Sequence, residues 1–93
     1  MRLFEFRDPT PIEAYVLAVD HDDATELFEE YVLVHGGDPD TLLWRELGLE
    51  HLYDPVKAVV QDALSIGREG LVVGAGSDRW VFVVPLSGVV ISS

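Results

Sequence analysis

The sequence predicts an α+β fold in a single domain over residues 1–93, with helices packed as one layer on one face of a mainly antiparallel sheet that ends in a three-stranded C-terminal meander. Three observations predict it. Apolar runs of strand length stand at both ends of the chain. Helical periodicity with recognisable start and stop residues fills the middle. The hydrophobic fraction of 48% in 93 residues is enough for one modest core. The expected order is β-β-α-α-α-β-β-β.

Residues 3–6 read as a short strand, ended by Asp8-Pro9-Thr10-Pro11, whose prolines cannot donate ladder hydrogen bonds and favour a turn. Residues 15–19, Tyr-Val-Leu-Ala-Val, are apolar on both faces, which predicts a strand that is central or covered on both sides. A first helix follows. Asp23 with Glu26 three residues on forms a capping-box pattern, and Ala24, Leu27, Phe28, Tyr31 and His35 recur at helical spacing. Gly36-Gly37 supplies a left-handed cap at its end. Asp38-Pro39 reads as the start of a second, shorter helix with Leu42, Leu43, Trp44 and Leu47 on its apolar side. Asp54-Pro55 opens a third, with Val56, Val59, Val60, Ala63 and Leu64 as its buried stripe and Gly67 as its stop. From Gly70 the period changes to that of strands. Residues 71–73, 80–84 and 89–91 are joined by short turns, which pair neighbours antiparallel. Phe28, Tyr31, Trp44, Val60, Leu64, Trp80 and Phe82 are the expected core.

Seventeen acids against six bases give a net charge of −11, concentrated in residues 1–53, where thirteen acids face three bases. Such a surface repels nucleic-acid phosphates and anionic lipid, so no direct nucleic-acid or membrane partner is expected. The absence of cysteine excludes disulfides and thiolate chemistry. The charged start Met1-Arg2-Leu3-Phe4-Glu5 does not read as a signal peptide, and the expected compartment is cytoplasmic. No cofactor and no metal site is expected.

The densest group of chemically capable residues is Asp20-His21-Asp22-Asp23, where a strand meets a helix. It could supply ligands for a divalent cation or a carboxylate-oriented histidine base. Helix capping by Asp22 or Asp23, with dipole-favoured neighbours and a solvent-facing His21, accounts for the same residue types without a ligand. Gly74-Ala75-Gly76 precedes a strand rather than a helix, which makes it a turn and not a dinucleotide loop. His35 reads as a capping or core residue and His51 as a surface one.

The outer face of the first helix is the less routine feature. Glu26, Glu29 and Glu30 follow Asp22 along one stripe, and no lysine or arginine occurs between Arg7 and Arg45. Exposed helices ordinarily interleave charges, because like charges at i, i+4 cost a few tenths of a kcal/mol while Glu–Lys pairs gain about as much. The stripe predicts a non-enzymatic interaction protein that binds a basic protein surface as an adaptor, inhibitor or nucleic-acid-mimic decoy. The alternative is a carboxylate and histidine cation-binding protein or hydrolase centred on Asp20, His21, Asp22 and Asp23. Strands 80–84 and 89–91 are apolar on both faces, which predicts a homodimer unless the helices wrap both sides of the sheet.

Overall fold

The computed structural model describes residues 1–10, 12–75 and 79–84. Five strands and two helices form an α+β domain around a single antiparallel sheet. The strands are β1 (Arg2–Arg7), β2 (Glu13–Ala18), β3 (Leu43–Leu47), β4 (Gly70–Gly74) and β5 (Trp80–Val83), in spatial order β3-β1-β2-β4-β5. Helices α1 (His21–Val34) and α2 (Asp54–Ile66) connect β2 to β3 and β3 to β4. β2 and β3 both oppose β1 and so run parallel to each other, with α1 as their crossover.

β2 is central, as its two-sided apolar sequence predicts: it pairs with β1 on one side and β4 on the other. Alternation along the strands divides the core in two. Phe4, Phe6, Ala14, Val16, Ala18, Leu71 and Val73 share one face, covered by Ala24, Phe28 and Val32 of α1. Leu3, Leu17 and Val72 share the other, covered by Val56, Val60 and Ala63 of α2, with Trp80 and Phe82 packed at its margin. The helices therefore lie on opposite faces and not in one layer. This arrangement explains why strands 15–19 and 80–84 carry no polar face.

The second expected helix, over residues 38–47, is not formed. Asp38 Oδ1 accepts the Asp40 N–H at 2.9 Å, a side-chain turn that closes on itself without starting a helix. The chain then runs as edge strand β3, in register Leu3↔Leu47, Glu5↔Arg45 and Arg7↔Leu43 with β1. Two ion pairs fasten it: Arg2 to Glu46 at 2.6 Å and Arg45 to Glu5 at 2.8 Å. Charges of this kind blunt an exposed sheet edge. Trp44, an expected core residue, is 49% exposed as a result. Leu49–His51 form a short 3-10 turn, in which exposed His51 accepts the Gly48 N–H through Nδ1 at 3.0 Å.

The helix boundaries follow their stop signals more closely than their start signals. α1 is capped by Asp20, whose carboxylate accepts the Asp23 N–H at 2.9 Å, so the cap stands two residues before the first of those expected. Gly36 takes the left-handed conformation after α1, at φ 75°, and Gly67 does the same after α2, at φ 77°. α2 begins without a side-chain cap, on Pro55 in its first turn. The expected hairpin between β4 and β5 is present and closed by Ala75 N–H to Arg79 C=O at 2.9 Å. The expected strand 89–91 lies outside the described residues.

One buried carboxylate ties the β1–β2 connection to the segment that follows α1. Asp8 is 2% exposed and accepts hydrogen bonds from Thr10 Oγ1, from the Thr10 and Ile12 N–H groups, and from the Asp38 N–H at 2.8 Å. Burial pushes its carboxyl up, but the hydrogen bonds outweigh it and hold the group at about 2. Gly37 packs so closely here that a Cβ would sit 2.7 Å from the Ile12 and Val32 side chains.

Candidate functional site

Helix α1 and its cap Asp20 carry the candidate site residues read from the sequence, and the fold distributes those of the helix over three surfaces. His21, Thr25 and Glu29 recur at i, i+4, i+8 and face the 38–42 loop and β3. Asp22 and Glu26 stand exposed on the outward crest, Asp22 with 99% of its side chain accessible. Glu30 is exposed on the opposite flank with Leu27, Tyr31, Val34 and His35, toward β4 and β5. The helix has no basic residue in its last turn, and it contains no lysine or arginine at all.

The four residues at the start of α1 do not converge. Asp20 serves as the helix cap. His21 turns sideways, its ring centroid 3.9 Å from that of Trp44 and 6.1 Å from that of Phe6. Asp22 points to solvent, 3.9 Å from His21 Nδ1. Asp23 is hydrogen-bonded to Glu69, which precedes β4, and Glu69 also accepts the Val19 N–H at 2.9 Å. That hydrogen bond and the neighbouring carboxylate charge raise the Asp23 carboxyl above its ordinary value. Among the described residues, no three histidine or carboxylate side chains come together in a way that could hold a metal ion.

Two concavities flank the crest. On one side a cleft of about 280 Å³ is lined by Phe6, His21, Thr25, Glu29, Pro39, Asp40, Leu42 and Trp44. The Thr25 hydroxyl donates its proton to the His21 carbonyl at 2.9 Å and lies 3.3 Å from His21 Nε2. On the other side an apolar groove of about 300 Å³ runs between α1 and the β4–β5 pair, lined by Leu27, Tyr31, Val34, Leu71, Val83 and Val84 with Glu30 and His35 at its rim. Val34 in this lining is 77% exposed, and its chain neighbour Leu33 is 64% exposed.

The sequence reading found the helix and its carboxylates but missed Trp44, Thr25 and Asp40. Thr25 was legible in principle, since it lies one turn from both His21 and Glu29. Trp44 was not, because its place depends on pairing with a strand some forty residues away. No described helix is long and apolar enough to cross a membrane. No family model, no curated protein and no solved structure matches this chain.

Proposed function

We propose that the chain is a small non-enzymatic interaction protein whose α1 surface binds a basic protein surface, as an adaptor, an inhibitor or a decoy mimicking a nucleic-acid backbone. The observation that carries the reading is the acidic outer surface of α1, where exposed Asp22 and Glu26 form a crest between an aromatic cleft lined in part by half-buried Glu29 and an apolar groove bordered by exposed Glu30. Acidic charge beside exposed apolar surface suits a protein contact, in which burial provides affinity and charge provides steering and salt dependence. Arg2 and Arg45 are engaged with Glu46 and Glu5 on the sheet.

The test is the triple substitution Glu26→Lys, Glu29→Lys and Glu30→Lys, which moves the net charge from −11 to −5. Capture of a basic protein partner from native extract should be lost together with its salt sensitivity, while the melting temperature holds or rises slightly as self-repulsion falls. Retained capture with unchanged salt dependence would refute the reading.

A homodimer is part of the proposal. With both sheet faces covered by helices, its remaining support is β5, which pairs with β4 and with no other described strand. Light scattering at micromolar concentration should give twice the 10.3 kDa chain mass, and a monomer would remove the dimer from the proposal. The second reading, a cation-binding protein or hydrolase at residues 20–23, has the Asp23–Glu69 carboxyl pair in its favour. It ranks lower because Asp20 is committed to the helix cap and His21 to Trp44.

A further inference from the structure

We infer that the cleft between α1, the 38–42 loop and β3 receives one arginine side chain of the basic partner. The inference rests on the interaction role proposed for α1 and deepens it.

The cleft's chemistry selects a cation. Glu29 from α1 and Asp40 from the loop place two carboxylates on its walls, and the lining contains no lysine or arginine. An anion would be repelled, and a neutral apolar group would cover both carboxylates without pairing them. The floor and one wall are aromatic: Phe6 is buried beneath, and Trp44 stands with 49% of its surface exposed. Burial of the largest apolar side chains ordinarily takes precedence in a small domain, yet here Phe4, Phe6 and Phe28 are fully covered while the indole stays half open. An aromatic face is negative at its centre and attracts cations.

Size and shape narrow the ligand further. The cleft, at about 280 Å³, lies at the lower limit of pockets that hold whole cofactors, about 300 to 1,000 Å³, and suits a single side chain. Arginine fits better than lysine because its planar guanidinium stacks on an indole and presents a fork of donors to carboxylates, whereas ammonium is a compact, strongly hydrated point charge. His21 lies against Trp44, 3.9 Å between ring centroids, so the guanidinium would stack on the indole surface that the imidazole leaves open.

The test titrates the full chain with N-acetyl-arginine amide, its lysine and citrulline counterparts, and free arginine, following the Trp44 indole N–H by NMR. Assignment against Trp80 uses Trp44→Phe. A saturable shift is expected with the arginine amide, weaker by about threefold or more with lysine and absent with the uncharged citrulline. Free arginine should bind more weakly than the amide, because its own carboxylate meets Glu29 and Asp40. Glu29→Gln with Asp40→Asn, a variant that leaves the indole in place, should weaken the arginine amide about tenfold at that signal, and Trp44→Leu should weaken it about tenfold by calorimetry. No saturable shift, an equal shift with citrulline, or tighter binding of free arginine than of the amide would each overturn the inference. Deca-lysine separates this result from the underlying reading. If Glu26→Lys with Glu30→Lys abolishes deca-lysine binding while the arginine amide never shifts Trp44, the cleft alone fails. If deca-lysine is indifferent to the crest while the amide still titrates Trp44, the acidic-crest reading fails and the cleft stands.

Discussion

Opposite placement of the two helices makes a quantitative prediction about how their cores couple. Val32 on α1 and Val60 on α2 are both fully buried, each in a different core. Val→Ala at either site removes two methyl groups, a transfer loss of about 1.6 kcal/mol at about 0.8 per group. The partly collapsed void adds about 1 kcal/mol, so each substitution should cost about 2 to 3 kcal/mol. Helix layers on either side of a sheet stand about 20 Å apart, since packed layers are separated by about 10 Å. At that distance the effects of Val32→Ala and Val60→Ala should add to within about 0.5 kcal/mol. Their sum, about 5 kcal/mol, reaches the lower bound of the about 5 to 14 expected for a chain of this length, so the cycle is best measured with trimethylamine N-oxide present. Urea unfolding followed by circular dichroism gives the four free energies, with a constant m-value as the control. An interaction energy above about 1 kcal/mol would show that the two valines share a core and would refute the two-faced arrangement.

Two further predictions concern the buried and capping carboxylates. Asp8 has a folded pKa depressed to about 2 from 3.8, so the stability it contributes is present above pH 4 and lost as pH falls toward 2. Asp8→Asn should lower the melting temperature at pH 7, and the gap from wild type should close between pH 4 and pH 2; a gap that stays constant through that window would rule out the carboxylate as its source. Asp20→Ala should cost about 1 kcal/mol through loss of the α1 cap, while Asp22→Ala stays within about 0.5 kcal/mol. The reverse order by chemical denaturation would move the cap to Asp22.

Where local pattern and tertiary need agreed, the fold could be read from the sequence. β2 was recognisable as central because the apolar run from Tyr15 to Ala18 can be covered only if both faces of the strand are, although Val19, at the end of the expected strand, lies beyond β2 and is exposed. α2 was recognisable from a stripe of valines, a first-turn proline and a glycine at positive φ, all of which act within one helix. β3 was not. Asp38-Pro39 is a good helix start in isolation, but the Asp38 backbone N–H is taken by Asp8 and its side chain by Asp40. The exposed edge of β1 then offers residues 43–47 a full ladder of hydrogen bonds and two complementary ion pairs. Those partners lie about forty positions away, beyond any rule that reads a window of the chain.

The same non-local step decides the candidate site. Had residues 38–47 been helical, Trp44 would have been one apolar residue on a buried stripe, and His21 a solvent-facing neighbour of a cap. Pairing with β1 instead turns Trp44 onto the face that α1 covers, in line with Phe6, and brings it to His21. The carboxylates of α1 were visible because charge is a property of composition. The aromatic wall that gives one of them, Glu29, a geometrical role is a property of strand register. A single-residue slip of β3 would move Trp44 to the α2 side and leave the acidic helix facing Leu43 or Arg45. Binding of an arginine amide at Trp44 therefore tests the register of β3 as well as the chemistry of the cleft, because only this register sets the indole beside Glu29.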